Sequence, residues 1–156
     1  MLDRAVQRIG AVTDAPVHTM QGDVREAALG EQQYDIVVAA QCLHHLRDEA
    51  QWRDVFGRIF RSIKPGGSFW IADSLTHAHP AVETMIKHRW ADYLKDLKDE
   101  AYRDHVMAYV EKEDSPRPLG YQLDLMRSVG FEQVDVLHKH NRFASFGGVR
   151  PGVRPE

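Results

Sequence analysis

From Asp48 to Ile63 the apolar positions return every three or four residues. Trp52, Val55, Phe56, Ile59, Phe60 and Ile63 form one stripe, while Arg53, Asp54, Arg58 and Arg61 face away. The spacing predicts a helix, with Asp48 as its cap, Gln51 as capping-box partner and Lys64-Pro65-Gly66-Gly67 as its stop. On either side the period changes. Residues 34–40, YDIVVAA, are a continuous apolar run of the kind expected in a parallel strand buried on both faces, and residues 68–73, SFWIAD, read as a second strand. Strand, helix and strand at this spacing form a right-handed βαβ crossover, which places ligands beyond the carboxyl ends of its strands. Those ends fall at Gly22-Asp23, Ala40-Gln41 and Asp73-Ser74.

The flanking segments extend the pattern. Leu2, Ala5, Val6 and Ile9 predict a helix over 1–10, and PVHTMQ at 16–21 alternates like a short strand. A mostly helical segment over 80–113 opens at Pro80 and carries Trp90, Tyr93, Tyr102 and Tyr109; at helical spacing, such aromatics are core residues as readily as substrate contacts. A last helix over 118–129 closes at Gly130, and residues 131–139 and 143–149 read as a terminal hairpin. The expected sheet order is 34–40, 68–73, 143–149, 131–139, with only 143–149 antiparallel to its neighbours. The fold class is therefore α/β with a mixed sheet.

Composition narrows the function. The 156 residues include 43% apolar and 28% charged ones, an ordinary balance for one globular domain. A net charge of -3 with interspersed signs gives no field for a phosphate backbone, so nucleic acid is not the expected partner. Cys42 is the sole cysteine, which excludes an internal disulfide and a cysteine-rich zinc site. No apolar run is long enough to span a bilayer, and a cytoplasmic location is expected.

His44 and His45 stand where the first predicted strand gives way to the helix. Adjacent side chains project about 100° apart, so one ion is not easily shared, and no HxxxH or carboxylate-rich spacing accompanies them. His138 and His140 lie at the far edge of the expected sheet. No metal site is expected. A histidine near neutral pKa can serve as general base, and His44 is the candidate for that role, with a packing or substrate-side position as the alternative.

Four motifs in order carry a resemblance: GDV at 22–24, YDIVVAAQCLHHL at 34–46, IKPGGSFWIAD at 63–73 and SVGF at 128–131. Together they resemble the class I S-adenosylmethionine-dependent methyltransferases, over residues 1 to about 150. The resemblance implies a partial Rossmann-like methyltransferase fold with a helical lid insertion at about 78–115, and S-adenosylmethionine as cofactor. It implies cofactor contacts from Asp23, Val24, Ala40, Gln41 and His45, with Asp23 and the Val24 N–H reading the adenine. Asp73, Trp90, Tyr93 and Tyr109 are expected on the side of a small-molecule methyl acceptor. Residues 151–156 are expected to be a disordered tail.

The glycine-rich turn and the ribose-binding acidic residue of that family have no counterpart in these residues. The chain thus resembles the C-terminal two-thirds of such a domain, and is expected to bind the cofactor weakly or not at all, to be weakly active or inactive, and to self-associate through a bare apolar edge at Ile36, Val37 and Val38. One alternative is a non-catalytic, vestigial or pseudoenzyme subunit that associates through this edge. Another is an enzyme similar to the carboxy-S-adenosylmethionine synthases of tRNA modification, suggested by NRFASFGGVRP at 141–151.

Overall fold

A computed structural model describes residues 2–152. Four strands, β1 (Tyr34–Ala40), β2 (Ile63–Ser74), β3 (Glu132–His140) and β4 (Phe143–Val149), form one sheet in the order β1-β2-β4-β3. β1 pairs with β2 in parallel, and β4 runs antiparallel to both β2 and β3, as the hairpin and crossover patterns predict. The helices are α1 (Leu2–Gly10), α2 (Glu49–Ser62), α3 (Pro80–Leu97), α4 (Glu100–Glu113) and α5 (Leu119–Val129). The end of the expected tail, residues 153–156, lies outside the described residues, as does Met1 of the expected first helix.

Helix α2 begins where its cap predicts: the Asp48 carboxylate accepts from Gln51 N at 2.9 Å, and Gln51 Oε1 accepts from Arg47 N at 2.9 Å. Its end departs from expectation. Ile63 is already extended and starts β2, so Lys64-Pro65-Gly66-Gly67 does not separate helix from strand but bulges out of the ladder. Tyr34 pairs with Ile63 and Ile36 with Ser68, so the bulge holds the surplus residues. The last carbonyls of α2 are satisfied by Arg150, whose Nη1 donates to Phe60 O at 2.9 Å, Arg61 O at 3.1 Å and Ile63 O at 2.5 Å. A cation there also complements the helix dipole. α5 closes on Gly130 in the left-handed region at φ 113°, with Phe131 N donating back to Met126 O at 3.1 Å.

The predicted stripe on α2 is the core. Trp52, Val55, Phe56 and Ile59 pack with Leu125, Met126 and Phe131 against Phe69, Ile71 and Phe146 of the sheet. Phe56 meets Phe69 edge-on with ring centres 5.7 Å apart, and Phe60 meets Phe131 likewise at 5.0 Å. On β1, Val37 and Ala39 turn toward this core, while Ile36 is 63% and Val38 66% exposed. The strand expected to be buried on both faces is therefore covered on one, and Val37, expected bare with its neighbours, is held inside by the period of two.

The expected strand at 16–21 does not form. Among the described residues these positions have no ladder partner, and a run that alternates weakly cannot stay extended in a sheet without one. The helical segment at 80–113 is two helices, broken at Lys98-Asp99, where Asp99 caps α4 by accepting from Tyr102 N at 2.7 Å. No helix among the described residues is long and apolar enough to cross a membrane.

Gly147 sits where β4 crosses Trp70. A Cβ there would stand 2.3 Å from both the Phe69 carbonyl oxygen and Trp70 Cε3. Gly147→Ala is expected to destabilise the fold by about 1–3 kcal/mol, as overpacking does, read as a lower urea midpoint at unchanged m-value.

Candidate functional site

At the carboxyl end of β1 the chain turns sharply out of the sheet. Gln41 takes φ 50°, a left-handed conformation uncommon outside glycine, while its N–H still donates to Ala72 O at 2.9 Å. A one-turn 3-10 helix, Leu43–His45, follows and delivers both histidines to the end of the sheet. Its anchor is Asp73, at the neighbouring end of β2. This 1%-exposed carboxylate accepts from Leu43 N at 2.8 Å, Cys42 N at 3.3 Å, Ser74 N at 2.7 Å and His44 Nδ1 at 2.5 Å.

His44 is buried, and its other nitrogen, Nε2, looks toward Asp114 Oδ1 at 3.8 Å. The hydrogen bond His44 donates to Asp73 raises the His44 pKa above its ordinary value, against the opposing effect of burial. Burial pushes the Asp73 carboxyl up, but the hydrogen bond and charge of His44, with the Ser74 and Leu43 N–H groups, outweigh it and hold the carboxyl below the usual range. His45 stands outside this pair, its side chain 51% exposed and its Nδ1 3.5 Å from Asp114 Oδ1.

The donor atoms of His44, His45 and Asp114 all lie within 4.8 Å of one another. Sequence spacing argued against shared chelation by adjacent histidines, and the geometry corrects that argument. Side-chain torsions bring the two rings to 4.2 Å between centres despite their divergent Cα–Cβ bonds. Among the described residues this is the one group that could hold a cation. The tendency of His44 to keep its proton works against that use.

Beside Asp114 opens a cavity of about 360 Å³ between α3, α4 and the ends of the strands. Its wall includes Thr76, Glu83, Trp90, Asp114 and Arg142. Of the aromatics expected on the substrate side, only Trp90 lines it. Tyr93 and Tyr109 are 59% and 56% exposed and stand outside the wall, because they fall on the outer faces of α3 and α4. Asp73, also expected there, is turned inward with both oxygens occupied, and it positions His44 instead.

Asp23 and Val24 border a separate cavity of about 370 Å³. Asp23 is paired with Arg25, whose Nη2 lies 2.5 Å from Oδ2 and whose side-chain hydrogen bonds hold the carboxyl down to about 2. Both groups are well exposed, so a competing donor could open this pair at little cost. Ala40 and Gln41, at the end of β1, are exposed.

Sequence reading missed Asp114 and Arg142. Asp114 lies at the end of α4 with no motif around it, and its position depends on how the helix pair folds back. Arg142 was legible only as a turn residue of the hairpin.

Residues 1–67 match the family model of a methyltransferase domain. No curated protein matches the chain significantly. Solved structures share the fold. An O-methyltransferase family protein from Burkholderia thailandensis superposes with a TM-score of 0.64 at 16% identity, over 98% of this chain and 41% of that one. The S-adenosylmethionine-dependent methyltransferase SibL, in its apo form, gives 0.63 at 16% identity over 96% and 40%. Human N-acetylserotonin methyltransferase, in complex with S-adenosylmethionine, gives 0.54 at 18% identity over 86% and 33%. The fold is therefore that of the S-adenosylmethionine-dependent methyltransferases, and the chain spans well under half the length of these three.

The His44–Asp73 pair sets two slopes of stability against pH. His44, with its raised folded pKa, contributes stability that is complete below its ordinary 6.5 and is lost as pH rises through the folded value. Asp73, with its lowered folded pKa, contributes stability that is complete above its ordinary 3.8 and is lost as pH falls through the folded value. In Asp73→Asn the His44 titration, followed by NMR, is expected to move down and the alkaline slope to flatten. An unmoved His44 titration would show that another group sets it.

Proposed function

We propose that the chain serves S-adenosylmethionine-dependent methyl transfer to a small-molecule acceptor, with His44 as the base that takes the acceptor's proton. The observation that carries this reading is the buried His44–Asp73 pair at the carboxyl ends of β1 and β2, in a methyltransferase fold and next to a cavity. When bound, the cofactor supplies a methyl group already activated on a sulfonium. Asp23 and Val24 would hold its adenine, and Ala40, Gln41 and His45 its remainder. The residues fit this use in that the β1 end is open to solvent and the Asp23–Arg25 pair is exposed.

The protein's own contribution is positional and protic. In neutral His44, the form present above its raised pKa, Asp73 fixes the proton on Nδ1 and leaves the Nε2 lone pair toward the cavity wall at Asp114. An acceptor hydroxyl or amine reaching that wall would give its proton to Nε2, and the imidazolium so formed is stabilised by Asp73 on one side and Asp114 on the other. The α3–α4 pair would exclude water from the acceptor. A cytoplasmic location accords with a lone unpaired thiol at Cys42.

His44→Ala is expected to lower single-turnover methyl transfer roughly 10²- to 10⁴-fold while leaving cofactor affinity unchanged. Asp23→Ala should do the opposite, weakening cofactor binding by about 1–2 kcal/mol in calorimetry. Cofactor binding by this chain is expected to be weak, on the order of millimolar, and radiolabelled cofactor that shows no binding at such concentrations and no transfer to any acceptor in a metabolite extract would overturn the reading.

The exposed Ile36 and Val38 on edge strand β1 favour a second reading, self-association through that edge. Sedimentation should then give a concentration-dependent mass that Val38→Lys shifts to the monomer.

A further inference from the structure

Two charged side chains in the cavity wall are buried, and each has a polar atom without a hydrogen bond. Asp114 Oδ1 and Arg142 Nε each make no hydrogen bond, and buried polar atoms are seldom left so. Asp114 at least faces two histidines. Arg142 is the stronger anomaly: it is 8% exposed, and among the described residues its guanidinium forms no ion pair and donates no hydrogen bond. Its one close partner is the Trp90 ring, with the guanidinium carbon 4.0 Å from the ring centre. Stacking fixes the plane of the fork without using its N–H donors.

Glu83 and Asp114 are near enough to attract it, but neither forms an ion pair with it. Glu83 accepts from His77 N at 2.8 Å and meets His77 Nδ1 at 3.0 Å, and Asp114 is drawn toward His44 and His45 at 3.8 and 3.5 Å. A desolvated guanidinium held flat beside a cavity of about 360 Å³ calls for an anion from outside the protein. The lining also limits that anion's charge. Lys87, the other cation in the wall, is exposed and already near Glu83 at 3.9 Å, while Glu83, Glu111 and Asp114 bring negative charge. A monoanion fits this balance better than a phosphate dianion.

We propose that the cavity binds a small carboxylic acid, its carboxylate on the Arg142 fork and its nucleophilic heteroatom at the Asp114–His44 wall. The proposal deepens the methyl-transfer reading and rests on it for the acceptor role alone. Arg142 is then the residue that selects the acceptor class, and Trp90 is the platform that holds its guanidinium in plane.

The test uses the full chain without cofactor and a panel of acids paired with their amides: benzoate and benzamide, 4-hydroxybenzoate and 4-hydroxybenzamide, phenylacetate and phenylacetamide. Heteronuclear NMR titration is expected to give saturable binding of at least one acid, with its amide roughly 10- to 100-fold weaker, the range of a lost charge-assisted contact. Arg142→Gln should abolish the preference and Arg142→Lys should retain part of it, with circular dichroism checking the fold. Equal binding of acid and amide by the wild-type chain, binding of none of the acids, or a preference that persists in folded Arg142→Gln would overturn the proposal. If acid preference holds but methyl transfer from labelled cofactor fails, the functional reading falls and the anion site stands. Methyl transfer without acid preference has the reverse meaning.

Discussion

The carboxylate of Asp73 is the constraint on which the site depends. It stands at the end of β2, the strand that pairs with both β1 and β4, and it ties down the turn that leaves β1. Without an acceptor there, the Leu43 N–H would be buried and unpaired, and the His44 ring would have nothing to fix its orientation. Breaking a buried charge pair by removing one member is typically worth about 3–5 kcal/mol, a large share of a folding margin of about 5–15 kcal/mol. One residue thus couples the geometry of the fold to the protonation of His44.

That coupling needs the backbone to make an unfavourable turn. Gln41 reaches the left-handed region only because the β1–β2 ladder runs to Ala40 and the Asp73 carboxylate catches the chain two residues beyond it. The 3-10 turn then points His44 inward and His45 outward, so neighbouring residues of one type acquire different surroundings. One is buried between two carboxylates; the other is half in solvent.

Much of this was legible in the sequence. The α2 stripe, its Asp48 cap, the Gly130 stop and the terminal hairpin are local patterns, and the sheet order follows from them. Residues 16–21 were misread as a strand because alternation predicts a strand's faces but cannot supply its partner. The dual burial expected for residues 34–40 failed for a related reason: an apolar run records what a strand tolerates, whereas coverage depends on what packs on it. Of the expected site residues, Trp90 lines the cavity and His44 stands beside it at Asp114. Tyr93 and Tyr109 stand outside the cavity wall, which helical spacing could not foretell because it leaves the rotation of α3 and α4 undetermined, and Asp114 and Arg142 escaped because they reach one cavity wall only in the folded chain.

Buried polar groups differ in how far the chain itself satisfies them. Asp73 is buried and has donors on both oxygens; Arg150 is shared among three carbonyls; the Trp52 indole N–H donates to Leu46 O at 3.0 Å. The Asp73 oxygens and the Trp52 N–H have no capacity left for a ligand. Asp114 and Arg142 have side chains buried on the same side of the molecule, yet Asp114 Oδ1 and Arg142 Nε make no hydrogen bond within the chain. A fold could have covered these two with apolar side chains at lower desolvation cost. That it holds them beside a cavity, with a tryptophan keeping one of them flat, argues that their partner comes from outside.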